Sequence, residues 1–135
     1  MTPAVATVLT VLVVLEIKHF IFDYPLQTGY LVQNKIRYGH PAGLLHAGLH
    51  VLGTAAVFFV VNPGLWLGLA ILAGEFVVHY HLDWGKGQIS KSLGLTAQDA
   101  MYWWGIGLDQ MLHHFTYLAI AAILMWAAYP VTPAG

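Results

Sequence analysis

Four pairs of polar side chains recur with one spacing along an otherwise apolar chain. Each pair combines His or Asp residues four positions apart, so in a helix both side chains project from one face. The pairs are His19–Asp23, His46–His50, His79–Asp83 and Asp109–His113. Imidazole and carboxylate groups bind zinc, iron or manganese, and the chain contains no cysteine that could add a soft ligand. The spacing therefore predicts a metal centre built from one pair on each of four helices.

The number of candidate ligands bears on how many ions such a centre would hold. Eight side chains are more than one tetrahedral ion can use. We therefore expect two or three divalent metal ions, with zinc favoured over iron or manganese. A purely structural network of hydrogen-bonded polar side chains is the alternative, because a lone intramembrane histidine more often packs than binds metal. A bis-histidine haem fits poorly, since the pairs lie along single helices with aspartates between them.

The composition places these pairs in a membrane protein. Of the 135 residues, 59% are hydrophobic and 8% are charged, whereas a soluble domain has roughly 25% charged residues. The formal net charge of −1 argues against binding to nucleic acid. The absence of cysteine excludes disulfides, iron–sulfur sites and a thiol nucleophile.

Four apolar stretches are long enough to cross the bilayer, at about 4–24, 43–61, 65–84 and 102–129. They predict an all-α fold, an antiparallel bundle of four transmembrane helices forming one domain over residues 1–135. No basic segment precedes the first stretch, so we expect it to remain in the protein. Short interfacial helices are expected in both longer connections, and Gly85 and Gly87 are expected to end the third span. Thr96 and Asp99 form a capping-box pattern before the fourth span.

The basic residues predict the orientation of the bundle. Lys35 and Arg37 lie in the first long connection and Lys86 and Lys91 in the second, while the termini and the turn at 62–64 carry none. By the positive-inside rule both connections are cytoplasmic and both termini face outward. Antiparallel threading then brings all four pairs to a similar depth in the cytoplasmic half.

Several charged residues near the pairs are candidates for catalysis. Lys86 follows Asp83 by three positions and is expected to meet an anionic substrate or headgroup. Glu16 and Glu75 point toward the centre from deeper in the membrane, as ligands, hydrogen-bond partners or general bases. For Glu75 a hydrogen bond to His79 is the favoured interpretation. Lys18 lies on another helix face and is expected to extend toward the membrane surface.

Other polar residues are expected to support the centre or lie outside it. Gln27 is one turn beyond Asp23 and Gln110 adjoins Asp109, so both are predicted to hydrogen-bond to ligands. His81 and His114 lie off the main stripes and are expected at an interface or a substrate opening. His40 is predicted to be a loop residue.

These motifs together resemble a known family. The residues that carry the likeness are segment 19–28, His46-x3-His50, His79-x3-Asp83-x2-Lys86 and Asp109-Gln110-x2-His113. They resemble a family of small uncharacterised bacterial and phage membrane proteins, a domain of unknown function, over nearly the whole chain. More distantly the chain resembles inner-membrane proteins described as metal-dependent hydrolases, themselves similar to the all-helical zinc phospholipase C group. That resemblance implies a bacterial inner-membrane location and phosphoester hydrolysis with two or three zinc ions. The phospholipase group also uses its N-terminus as a ligand, a role that Met1, expected on the opposite side, cannot take.

The leading functional hypothesis is a membrane-embedded metal-dependent hydrolase. It would cleave an ester or phosphoester of a lipid-like or amphiphilic substrate through metal-activated water. A di-iron lipid oxidase or hydroxylase is one alternative, and a non-catalytic metal-binding subunit of a membrane complex is another. Besides the lipid bilayer, a homo-oligomer or a larger membrane complex is an expected partner, because so short a chain often requires one.

Overall fold

Proline and short capping residues fix where the first spans begin. Pro3 occupies the first turn of one helix, where the Thr2 hydroxyl accepts a hydrogen bond from the Val5 amide at 3.4 Å. Pro41 opens another helix, where His40 Nδ1 accepts from the Ala42 amide at 3.1 Å. A proline is tolerated here because the first amides of a helix have no intrahelical acceptor. His40, predicted to be a loop residue, thus serves as a helix cap.

The computed structural model describes residues 1–130, and its regular elements there are helices. They are α1 (Pro3–Asp23), α2 (Gly29–Asn34), α3 (Pro41–Ala55), α4 (Leu65–Ser92) and α5 (Ala100–Ala128). A 3-10 turn, Ala56–Phe59, continues α3. The all-helical fold class is confirmed. Residues 131–135 of the predicted single domain lie outside the described part.

Four of these helical segments are long and apolar enough to cross a membrane: Pro3–Asp23, Pro41–Phe59, Leu65–Ser92 and Ala100–Ala128. Helix α1 packs against α3 and α5, and α4 packs against the same two helices. Helices α1 and α4 are therefore diagonal neighbours across the bundle, as are α3 and α5. The four predicted spans are confirmed, with ends within two residues except at the end of α4.

The end of the third span differs from the prediction. Helix α4 continues through Gly85 and Gly87 to Ser92, which makes it about 42 Å long. A side chain at Gly87 would overlap the side chain of Ile36, so this glycine allows the first connection to lie against the helix. The glycine therefore marks a close approach and not a helix end.

The two connections also differ from each other. Helix α2 is the short helix predicted in the first connection, and Leu31 anchors it with only 4% of its surface exposed. The second connection, residues 93–99, forms turns, so the separate interfacial helix predicted there is wrong. Residues 85–92, which were expected to lie beyond the third span, are helical as part of α4.

The capping pattern before the fourth span forms in part. The Asp99 carboxylate accepts hydrogen bonds from the Thr96 amide at 2.8 Å and from its hydroxyl at 2.9 Å. These bonds hold the pKa of Asp99 below its ordinary value, since they stabilise the charged form. Helix α5 begins only at Ala100, so Asp99 flanks the helix and does not lie within its first turn.

One end of the bundle has a core of aliphatic and aromatic side chains, which we call the apolar half. Its buried residues are Val11, Leu15, Val57, Val61, Ile71, Tyr117, Ile120, Ala121 and Leu124. The turn between the 3-10 segment and α4 lies at this end, where the Asn62 side chain accepts from the Gly64 amide at 2.9 Å. Gly64 has φ of +76°, which favours glycine at this turn. The opposite half, toward the two long connections, contains the polar pairs.

Candidate metal centre

Most of the predicted ligands converge in the half of the bundle that faces the connections. Two groups of donors have ligand atoms within 4.8 Å of one another: Asp23, His46, His50 and His79, and then His79, Asp83 and His113. We call these six residues the His/Asp cluster. The last turn of α1, the first turns of α3, the middle of α4 and the first half of α5 each contribute to it. Antiparallel helices bring these segments together because each pair projects from one helix face.

The first group is centred on the Asp23 carboxylate. Its Oδ1 lies 3.1 Å from His46 Nε2 and 3.3 Å from His50 Nε2. The His50 and His79 rings lie side by side, with 3.9 Å between their centroids. Three imidazoles from two helices thus face one carboxylate from a third.

The second group shares His79 with the first. His79 Nε2 lies 3.5 Å from Asp83 Oδ2, and the His79 and His113 ring centroids are 4.2 Å apart. His46 Nε2 is also 3.1 Å from Asp83 Oδ2, which joins the two groups. The cluster is therefore one continuous set of donors with two adjacent centres.

Many donor atoms of the cluster have no hydrogen-bond partner within residues 1–130. They include Nε2 of His50, His79 and His113, together with Asp83 Oδ2, whose contacts with neighbouring carboxylate or imidazole atoms, at 3.1–3.6 Å, lack hydrogen-bond geometry. The four histidines are at most 1% exposed, so bulk water does not reach their rings. Leaving such groups unpaired in the interior is costly. A divalent cation would satisfy these lone pairs, and the nitrogen and oxygen donors fit zinc, iron or manganese.

Three interior carboxylates are each paired with a lysine. Lys35 Nζ donates to Asp83 Oδ1 at 2.9 Å, Lys86 Nζ donates to Asp109 Oδ2 at 3.0 Å, and Lys18 pairs with Glu75. Asp23 faces histidines and, among residues 1–130, forms no lysine pair. The excess negative charge of the cluster is thus concentrated at Asp23, in the larger donor group.

Lys35 is part of the cluster although the sequence pointed only to its charge. Its Nζ lies 3.3 Å from His46 Nε2 as well as beside Asp83, and 6% of the residue is exposed. Lys35 directly follows α2 as its C-cap, and the contact between Ile36 and Gly87 holds that connection against α4. The ammonium therefore lies where it competes with a metal ion for the Asp83 and His46 donors.

His19 lies beside the cluster but in neither donor group. Its Nδ1 is joined by a hydrogen bond to the Tyr117 hydroxyl and its Nε2 to Gln110 Oε1, each at 2.8 Å. Its Nε2 is also 3.2 Å from Asp23 Oδ2. Both ring nitrogens are thus engaged, so His19 orients Asp23 in this arrangement. Tyr117 was missed, although it follows His113 by four residues on the same helix face.

Asp109 and the two glutamines lie around the cluster. Asp109 Oδ1 is 3.6 Å from His113 Nε2, outside the two donor groups. Gln27 donates to Asp23 Oδ1 at 3.1 Å, and the Gln110 amide is 3.4 Å from Asp109 Oδ2. The structure therefore brings both glutamines to the carboxylates that they were expected to contact.

The two glutamates do not occupy the positions predicted for them. Glu75 is buried and paired with Lys18, so the predicted bond to His79 is wrong. Glu16 is 46% exposed at its side chain and contacts His114 at 2.8 Å on the outer surface of the bundle. Neither lies in the donor groups.

Lys18 points inward, which corrects the expectation that it extends to the membrane surface. It crosses toward the diagonal helix α4, donates to the His50 carbonyl at 3.2 Å, and lies 4.4 Å from the centre of the Tyr117 ring. A Cβ atom at Gly53 would come within 2.6 Å of the Phe22 ring and 3.2–3.3 Å of the Lys18 stem, so this glycine leaves room for both side chains. The sequence shows no signal for this pairing because the two residues are far apart along the chain.

An open cavity of about 650 Å³ leads from the connections to the cluster. Its lining includes three carboxylates, Asp23, Asp83 and Asp109, and three lysines, Lys35, Lys86 and Lys91. We call it the lysine cavity. Lys91 is exposed, whereas Lys35 and Lys86 are paired with Asp83 and Asp109. His81, one of the two histidines predicted to lie off the main stripes, does not line this cavity. It is exposed, and its Nε2 lies 3.3 Å from the Tyr38 hydroxyl.

Comparison with known proteins identifies a family without an assigned activity. No curated protein and no solved structure matches the chain. Residues 11–132 match the family model described as "Protein of unknown function (DUF3307)". This match covers most of the sequence, including all four polar pairs. The chain therefore belongs to the DUF3307 family, a group of proteins of unknown function.

Proposed function

We propose that this protein is a membrane-embedded metal-dependent hydrolase that cleaves an ester or phosphoester of a lipid-like substrate. One observation carries the proposal: two donor groups that share His79 lie at the inner end of a cavity lined by lysines. Buried donors without partners favour cation binding, and an open path favours access by a substrate. The combination is typical of a catalytic metal site more than of a closed structural one.

The two groups define which residues would hold metal. Asp23, His46, His50 and His79 would hold one ion, and His79, Asp83 and His113 would contribute to a second. Asp109, beside His113, completes the second set if Lys86 releases it. We expect two divalent ions, with zinc favoured over iron or manganese. When bound, such ions polarise a carbonyl or phosphoryl oxygen and lower the pKa of water.

The chain's own side chains would position the substrate. Lys86 is held by Asp109 but keeps 29% of its side chain exposed, and it lines the lysine cavity together with Lys91. Both ammonium groups can therefore attract an anionic headgroup. Asp109 lines the cavity, and as long as Lys86 holds it outside the two donor groups its carboxylate is the candidate to accept a proton. Glu16 and Glu75, first considered for that role, do not line this cavity.

The same cavity weighs against the alternatives. An oxidase or hydroxylase of lipid chains must bring hydrocarbon to its metals, whereas the lysines here favour an anionic group beside them. A non-catalytic metal-binding subunit does not require an open cavity of about 650 Å³ at its metal ligands. A charged ester or phosphoester headgroup therefore agrees best with the site.

We further propose that the protein lies in the inner membrane of a bacterial cell and that the lysine cavity opens toward the cytoplasm. Lys35 and Lys86 turn inward to carboxylates, and the exposed positive charges at this end are Arg37 and Lys91. By the positive-inside rule they favour a cytoplasmic location, with both termini outside. Labelling a single introduced cysteine near Arg37 and another near Thr2 from each side of the membrane tests this topology.

The test of function compares metal-free with reloaded protein. Detergent-purified protein is stripped by a chelator, reloaded with zinc, iron or manganese, and assayed for phosphate or fatty-acid release from phosphatidic acid. We expect H113Q to lower kcat/KM by at least about 100-fold, because a ligand is lost. The matched control is H114Q, since the adjacent His114 has 41% of its side chain exposed and contacts Glu16 outside the cluster. Equal rates with and without metal, or equal losses in the two variants, would contradict the proposal.

A further inference from the structure

A second cavity lies between the ends of α4 and α5 that adjoin the second connection. Its volume is about 380 Å³, within the range of small-ligand pockets. Apolar side chains dominate its wall, including Leu82, Ile89, Trp104, Leu108 and Leu112. We call it the apolar groove. Helices α4 and α5 are both long and apolar enough to cross a membrane, which would place the groove beside the bilayer.

The apolar groove is continuous with the lysine cavity. Lys86, Ser90, Leu95 and Asp109 line both of them. The Lys86–Asp109 ion pair therefore lies at the junction of the apolar groove and the lysine cavity. Apolar side chains lie on one side of the pair and charged side chains on the other. An amphiphile is the class of molecule that matches both surfaces at once.

We propose that the apolar groove binds the hydrocarbon chain of the substrate while its anionic headgroup lies beside Lys86 and Lys91. This inference rests on the proposed function and names the substrate class: an acylated amphiphile with a negatively charged head, taken laterally from the bilayer. The positive charge of Lys86 complements an anionic headgroup, which favours the substrate over an ordinary bilayer lipid as the occupant of the groove. A lipid that merely surrounds the protein would contact the groove regardless of its headgroup.

Two glycines of α5 provide a matched pair of variants. A Cβ atom at Gly105 or at Gly107 would meet nothing within 4 Å, so leucine fits the helix at either position. Gly105 lines the groove, whereas Gly107 is exposed and does not. G105L therefore fills the groove, and G107L controls for the change in helix propensity.

Trp104 offers a direct reporter because it lines the groove and is 72% exposed. Brominated acyl chains quench tryptophan fluorescence on contact. The protein is placed in unbrominated phosphatidylcholine nanodiscs with a trace of dibromostearoyl phosphatidic acid or, separately, of dibromostearoyl phosphatidylcholine. We expect quenching by the anionic lipid that W104F removes and W103F retains. G105L should weaken that binding about tenfold, as expected when about two methylenes leave the groove, and G107L should not.

The outcomes separate this inference from the proposed function. Equal quenching by the two brominated lipids, or equal effects of G105L and G107L, would overturn the groove as a substrate site. The binding measurement needs no turnover, so headgroup-selective quenching without hydrolysis would contradict only the hydrolase. If hydrolysis occurs, G105L should raise KM for phosphatidic acid and leave a short, water-soluble phosphate ester unaffected. An equal change for both substrates would count against chain binding in the groove.

Discussion

The apolar half and the half that contains the His/Asp cluster are built on the same four helices with opposite kinds of side chain. Leu15 and Leu124 fill the first, and His50 and His79 fill the second, all at 1% exposure or less. Depth of burial therefore does not distinguish the halves. What differs is whether the buried atoms can be satisfied by packing alone.

This difference shows where stability and function separate in the molecule. Apolar side chains between membrane helices associate through close packing and need no partner of opposite charge. Buried carboxylates and imidazoles do need partners, and within residues 1–130 lysines satisfy only part of that need. We therefore expect substitutions in the cluster half to depend on charge, and those in the apolar half to depend on volume.

The largest effect on stability is expected at Asp83. Its loss leaves Lys35 buried without its carboxylate and removes a contact of His46. We expect D83L to destabilise metal-free protein by about 3–5 kcal/mol, as for other broken buried pairs. Unfolding by denaturing detergent, followed by circular dichroism, measures this.

The double variant D83L/K35M serves as the control for charge. It removes both members of the pair, so it should recover most of the lost stability. A double variant as unstable as D83L alone would mean that shape, and not charge, governs this half.

A somewhat smaller loss is expected at the boundary between the halves, in the Lys18–Glu75 pair. K18M leaves Glu75 uncompensated in the interior and should cost about 3 kcal/mol. Metal content should stay unchanged, because neither residue belongs to the donor groups. The double variant K18M/E75L, which removes both charges, is the control. A loss of metal in K18M and in the double variant would mean that this pair belongs to the metal site and not only to the structure.

The apolar half should respond to volume. L124A removes a fully buried side chain from its core and should cost about 1–3 kcal/mol, without affecting bound metal. The control L118A lies on the same helix at 52% exposure and should change little. If L124A released metal at unchanged fold, the two halves would not be independent.

The smallest effect lies outside the spans, at Asp99. Hydrogen bonds from Thr96 lower its folded-state pKa, so their stabilisation is present above the ordinary value near 3.8 and is lost as pH falls through the folded-state value. The chemical shift of the Thr96 amide proton, followed by NMR on acidification, should report this titration. D99N should remove the pH dependence and leave the metal centre intact. An unchanged titration in D99N would mean that another group is responsible.

The sequence predicted the helices well because hydropathy over a span adds up across many residues. The sequence also predicted that the polar pairs share one depth. Their spacing determines the helix face that each pair occupies, and antiparallel threading determines the level at which the pairs meet. The extension of α4 through Gly87 was not predictable, because a glycine that admits a neighbouring side chain looks like one that ends a helix.

The partners of long side chains were likewise beyond the sequence. Lys18 and Lys35 were each expected to serve the membrane surface or the topology, and both turn inward. A lysine stem can reach several positions, and which carboxylate it meets depends on how the helices are rotated against each other. His19 was expected to bind metal, and in the structure Tyr117 and Gln110 of the neighbouring helix α5 form hydrogen bonds to its two ring nitrogens.

The metal content of the purified protein tests the central claim most directly. Protein purified from cells grown in metal-replete medium is analysed by inductively coupled plasma mass spectrometry, together with H79Q and H114Q. We predict about two divalent ions per chain in the native protein and in H114Q, and close to none in H79Q, because His79 belongs to both donor groups. A native chain that retains no transition metal, and takes up none of zinc, iron or manganese on dialysis, would contradict the account.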